Sequence, residues 1–104
     1  MVEQYLMGRQ IAERGWIIVI LADLVVGAAD AGTVRNAMRQ LGVAIDGVHF
    51  RNHLSYLEER GYLRIQHHAI GQISNALLSI TANGRDLRAG IVKDAGVDPD
   101  VGGV

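Results

Sequence analysis

The sequence predicts an α+β domain, mainly helical with a small β-hairpin, on three observations. Apolar residues recur at the 3.6-residue helical period from the N-terminus to Gly61. Beyond Gly61 the period shortens to two, the alternation of strands, and helix signals return at Thr81. Gly42 and Gly61 fall just past helical stretches, where a left-handed stop is easiest for a residue without a Cβ.

Residues 2–26 contain no proline and predict one long helix, or two segments meeting near Gly15, with Gly8 and Gly15 as weak points. Ile17, Leu21, Leu24 and Val25 are its expected core side. The stretch Gly27–Gly32 breaks the helix, and Asp30 or Thr33 can cap the next one. That second helix runs from about Gly32 to Leu41, with Val34, Met38 and Leu41 at helical spacing. After the short connection Val43-Ala44-Ile45, Asp46 is the expected N-cap of a third helix, roughly Gly47 to Arg60. Its inward stripe is Phe50, Leu54 and Leu57, at i, i+4 and i+7. Val48, Asn52, Ser55 and Glu59 point the opposite way, with Arg51 on the flank.

Tyr62–Gln66 and Leu77–Ile80 alternate like strands, with residues 67–75 as the hairpin tip and Gly71 permitting the turn. Thr81 caps a last helix reaching about Val92. The expected domain is residues 1–93. The tail, DAGVDPDVGGV (residues 94–104), is acidic and glycine-rich and is expected to fray. There is no internal repeat.

A chain of 104 residues, 49% apolar, fits one domain with a core of its own. It contains no cysteine, which excludes disulfides and thiolate chemistry, and a cytoplasmic protein is the expectation. The most apolar run, Gly15–Ala29, is shorter than the roughly 20 residues a bilayer requires, and Asp23 interrupts it. No membrane association is expected. Trp16, Ile18, Val19, Ile20 and Val26 cannot all face one core stripe, so either the rest of the helical body wraps them or another subunit does; a homodimer with these residues as its interface is the expectation.

Net charge is −1, yet it is unevenly spread. Residues 30–93 hold eight basic residues against five acidic ones, while the two ends hold two against six. Nine of the ten cations are arginine, whose planar fork suits phosphate and guanine.

Two helices joined by a short turn, the second with a polar outer face, make a helix-turn-helix arrangement. LEERGYL (Leu57–Leu63) resembles the segment that ends the recognition helix and opens the first wing strand in many winged-helix proteins. LLSITANGRDL (Leu77–Leu87) resembles the returning strand and the helix after it. With Thr33–Gly42, the resemblance covers most of residues 17–92. More narrowly, the layout RNAMRQLG, SYLEERGYL, SITANGRDLRAG and GVDP is similar to small uncharacterised winged-helix proteins of Mu-like phages and prophages. The resemblance implies a winged helix-turn-helix domain binding double-stranded DNA, and no enzymatic activity.

On that footing the face Gly47, Val48, His49, Arg51, Asn52, Ser55 and Tyr56 of the third helix is the candidate for the major groove. Arginine pairs bidentately with guanine and asparagine with adenine. Arg35 and Arg39 on the second helix are expected to reach flanking phosphates. Arg64, His67, His68 and Gln72 are expected to supply wing contacts. The competing reading is a solvated helix face, or a protein–protein assembly module, favoured by Glu58-Glu59 and a wing tip without lysine or arginine. His49 and His53 sit one helical turn apart, a metal-ligand spacing, but lack further ligands nearby. Solvated surface histidines are the expectation, with no metal and no cofactor. Nothing resembles a nucleophile with its base or a phosphate-cradling loop, so no enzyme is expected.

Overall fold

The computed structural model describes residues 2–70 and 73–101, the side chains of 68–70 and 73–75 excepted. In chain order the elements are α1 (Val2–Asp23), β1 (Ala28–Asp30), α2 (Ala31–Gln40), α3 (Gly47–Glu59), β2 (Leu63–Ile70), β3 (Ile73–Ile80) and α4 (Ala82–Arg88). Among the described residues, four helices thus pack with one antiparallel sheet of strand order β1-β3-β2. None of these helices is long and apolar enough to cross a membrane.

Helix ends follow the capping residues closely. Asp30, Asp46 and Thr81 each accept the backbone N–H three residues on, from Thr33, His49 and Gly84. At the other ends, Gly42, Gly61 and Gly90 take φ of +86°, +79° and +83°. Each closes its helix with the same pair of bonds. In α3, Gly61 N–H donates to Glu58 and Tyr62 N–H to Leu57, at 2.9 and 3.0 Å. Gly90 therefore ends α4 at Arg88, short of the expected Val92.

The first helix is one continuous rod through Gly8 and Gly15, not two segments. It stops at Asp23, earlier than expected, because Gly27 turns the chain at φ +66° and its carbonyl accepts from Ile80 at 2.8 Å. The chain is thereby drawn into β1, which pairs Ala28–Asp30 with Ser79–Leu77. Val25 consequently lies fully exposed instead of facing the core, while Leu24 packs against it.

The hairpin is longer than the alternation suggested. Its ladder runs from Leu63↔Ile80 to Ile70↔Ile73, so residues 67–70 and 73–75, read as a tip, are strand. Backbone pairing carries them regardless of side-chain polarity. The turn expected at Gly71 lies outside the described residues. Leu63, Ile65, Leu78 and Ile80 share the face turned to the core. There they meet Ile17, Ile18 and Leu21 of α1, Val34 and Met38 of α2, Phe50, Leu54 and Leu57 of α3, and Leu87 of α4.

The tail expected to fray is instead fixed as far as Val101. Val97 is 3% exposed and joins the core, and Asp98 N–H donates to the Ile11 carbonyl. Residues 94–101 run as a strap across α1, passing so close at Gly15 that a Cβ there would meet the Asp98 carbonyl. One buried valine and a set of specific bonds outweigh a composition that favours disorder.

The helix–sheet junction is equally tight. Thr81 Oγ1 donates to the Gly61 carbonyl at 2.6 Å while accepting from Gly84 N–H, and Thr81 N–H donates to the Tyr62 carbonyl. A Cβ on Gly84 would strike that Tyr62 carbonyl. Gly84→Ala is therefore expected to cost about 2–4 kcal/mol in urea unfolding, since backbone must move. Gly8→Ala, on an open face of α1, is expected to be neutral or to add up to about 1 kcal/mol.

Candidate nucleic-acid interface

The outer face of α3 is built by the spacing that buries its inner one. With Phe50, Leu54 and Leu57 at 5% exposure or less, Val48, His49, Arg51, Asn52 and Ser55 are left in solvent. At the start of this face Arg35 of α2 is held by its Nε–H donating to the Ile45 carbonyl at 3.1 Å. That bond aims the rest of its guanidinium toward Gly47. A Cβ on Gly47 would lie 3.7 Å from Arg35 Nη1 and 3.8 Å from Arg51 Nη1. Two guanidinium groups from different helices thus border one small volume. Neither meets a carboxylate within salt-bridge distance among the described residues.

Arg39 continues the basic edge, lining with Thr33, Arg35 and Asn36 an open groove beside the N-terminus of α2. Arg51 and Ser55 also border a cleft of about 440 Å³ between α3 and the sheet, floored by Phe50, Leu54 and Ile65 and edged by His67. The structure thus gathers Arg35, Arg39, Gly47, Arg51, Ser55 and His67 along one side. It does not bring Arg64 to that cleft, since Arg64 alternates with Leu63 and Ile65 and points to the other face of the sheet. The His68 side chain and Gln72 lie outside the described residues.

The acidic neighbours are held in place. Asp46 caps α3, and its hydrogen bonds from the His49 backbone and ring keep it ionised below the usual carboxylate range. Glu58 accepts the outward Ile65 N–H at 3.1 Å, covering part of the open edge of β2 and tying α3 to the hairpin. Both charges stand beside the arginines and temper them.

Beneath this face lies a polar node that spacing alone does not disclose. His53, expected as a surface histidine, is 3% exposed, and Glu13 of α1 is 5% exposed. His53 Nε2 meets Glu13 Oε1 at 3.0 Å, and Arg14 Nε–H donates to His53 Nδ1 at 3.3 Å. Arg9 covers the other Glu13 oxygen. Burial pushes His53 below its ordinary value, more strongly than the Glu13 hydrogen bond raises it. His49 turns away to Asp46, so the two histidines do not form a pair, and no group among the described residues could hold a metal ion.

Tyr56, read from its spacing as outward, is half-buried. It is sandwiched between Arg14 and Arg60, 4.2 and 4.6 Å from its ring centre, and its hydroxyl donates to Asp94. The expected dimer residues also move. Ile18 and Val19 are buried inside the chain's own core at 0% and 7% exposure, and Trp16 and Ile20 pack half-buried against it, leaving Val26 exposed. A hydrophobic helix of this length finds its cover within the domain because the strap and α4 close over it. The exposed apolar residues of α1 are Val2, Tyr5, Leu6 and Met7 instead.

Asp94 anchors the strap. Burial raises its pKa, but hydrogen bonds from Tyr62, the Gly96 N–H and Tyr56, with the Arg60 charge, outweigh that and hold it below the usual range. Burial and the same carboxylate push the Tyr62 phenol up to about 12, so it remains a donor at neutral pH. A carboxylate depressed on folding stabilises above its unfolded value of 3.8 and loses that contribution as pH falls through the folded value. Asp94→Ala leaves two hydroxyls without their acceptor and is expected to cost about 2–3 kcal/mol at pH 7. In urea titrations at descending pH, the gap between wild type and variant should hold down to about pH 4 and narrow below it.

No protein-family model, curated protein or solved structure matches this chain, and the geometry above is therefore what bears on function.

Proposed function

We propose that the chain is a winged helix-turn-helix DNA-binding protein, with α2 and α3 as the helix pair and β2–β3 as the wing. In this reading α3 enters the major groove of double-stranded DNA, and Arg35 and Arg39 clamp phosphates beside it. The observation that carries it is the convergence of Arg35 and Arg51 beside Gly47, at the head of an exposed helix face, with no carboxylate partner among the described residues. Two guanidinium groups facing one volume fit the paired oxygens of a phosphodiester or a guanine edge. Arg51, Asn52 and Ser55 would meet base edges, and His67 the backbone. A role as a phage or prophage transcription regulator rests on the sequence resemblance alone.

Binding to short duplexes carrying phage or host operator sequences, followed by fluorescence anisotropy across a salt series, tests this directly. Affinity should fall steeply with salt. Arg51→Ala should cost about 1–3 kcal/mol and flatten sequence preference, while Arg39→Ala weakens all duplexes and lowers the salt slope by about one. No salt-dependent binding at low salt and high protein concentration would leave the protein–protein assembly module as the reading.

Reading two half-sites calls for a second copy, and the surface on offer is the exposed stripe Val2, Tyr5, Leu6 and Met7, not the middle of α1. Light scattering should give twice the mass of one chain, and Leu6→Glu should return it to one. A single-chain mass for the wild type at high concentration sinks the dimer without touching the DNA reading.

A further inference from the structure

The His53 node has a donor–acceptor logic that makes it sensitive to acid. Arg14 has only donors, so its 3.3 Å bond to His53 requires Nδ1 to be an acceptor, hence bare of a proton. Nε2 then carries the ring proton and donates to Glu13 at 3.0 Å. A proton taken from water can enter only at Nδ1. It would put an N–H against the Arg14 N–H and a second positive charge beside the guanidinium, inside a site 3% exposed. The Glu13 bond survives, since Nε2 donates in both states. The Arg14 bond cannot.

Arg14 also helps to hold the strap. Its Nη1 donates to the Gly96 carbonyl at 2.7 Å, and its guanidinium stacks on Tyr56, whose hydroxyl reaches Asp94. We infer that protonation of His53 displaces Arg14 and releases residues 96–101 of the strap from α1, with the Asp94 anchor and the rest of the fold kept. The charged and titratable groups facing the ring are few. From α1 they are Glu13 and Arg14, with Arg9 behind Glu13, and from α3 His49, one turn away and tied to Asp46. The strap offers the node a carbonyl and no charge, its Asp94 acting only through Tyr56, Tyr62 and Arg60. Glu13 favours the imidazolium and Arg14 opposes it, and burial sides with Arg14.

The remaining core does not depend on this contact. Leu54, Leu57, Leu78 and Ile17 pack without it, and the Asp94 anchor holds to far lower pH. Release is therefore local: Asp94 stays anchored, while Val97, the Asp98 bond to Ile11 and the Arg88 bond to Pro99 loosen once Arg14 is displaced. The inference stands apart from DNA binding.

Hydrogen exchange read by NMR tests it on the whole chain between pH 7.5 and 5, as protection factors corrected for intrinsic exchange. The Asp98 amide, bonded to the Ile11 carbonyl, should lose protection at least tenfold as pH falls, while Leu54 in α3 keeps its own. In His53→Gln the strap protection should no longer depend on pH. Nitrogen shifts of the wild-type ring give a check that needs no variant, since at pH 7.5 Nδ1 should be bare and Nε2 protonated. A proton on Nδ1 at neutral pH overturns the inference. So does constant Asp98 protection in the wild type, an equal loss in His53→Gln, or a loss shared by Leu54.

Discussion

A buried imidazole presents two nitrogens, and each must find a partner of the right kind or cost about 1–3 kcal/mol. His53 answers this by binding two consecutive residues of α1, giving one nitrogen to the Glu13 carboxyl and the other to the Arg14 guanidinium. Consecutive helical residues point about 100° apart, so only one position of α3 against α1 satisfies both. The packing of leucines would tolerate a small slide between the helices; the two polar bonds do not. Arg9 then takes the second Glu13 oxygen, and the Gly96 carbonyl a further N–H of Arg14. No buried side-chain nitrogen or oxygen among the described residues lacks a partner.

Fixing α3 from beneath fixes what it shows above. The same helix turn that directs His53 inward sends Asn52 and Ser55 outward, and the Glu58 bond to β2 sets the angle between helix and hairpin. On the proposed reading, rigid placement would favour binding, because loose side chains surrender entropy on contact. The head of α3 is held the same way: Arg35 is anchored through Nε, leaving only its outer nitrogens uncommitted.

Local chemistry was legible in the sequence. Asp30, Asp46 and Thr81 as caps, Gly42 and Gly61 as stops, and the Phe50-Leu54-Leu57 stripe follow from rules acting within one turn. Contacts between distant residues were not. Three residues of β1 are too few to alternate, and exist because β3 offers its edge. Glu13 and His53 are 40 positions apart, and each alone reads as a surface residue. The strap reads as disordered because its bonds run to Ile11, Arg14, Tyr56 and Tyr62, none of them near it in sequence. Of the candidate interface residues, exposure on α3 was foreseeable from helical phase. The meeting of Arg35 with Arg51 required the fold.

The fold also changes what the net charge of −1 means. Arg9, Arg14, Arg60 and Arg88 are spent inside the molecule, on Glu13, His53, Asp94 and the Pro99 carbonyl among others. Glu13 and Asp94 are matched by those cations, so both drop out of the short-range field. At physiological ionic strength screening acts over about 8 Å, and a ligand responds to the charges it touches, not to the total. Around the outer face of α3 those are Arg35, Arg39 and Arg51 against Asp30, Asp46 and Glu58, whose carboxylates are turned to backbone N–H groups. That local balance is zero. Specific recognition here would have to come from hydrogen-bond geometry and not from field strength.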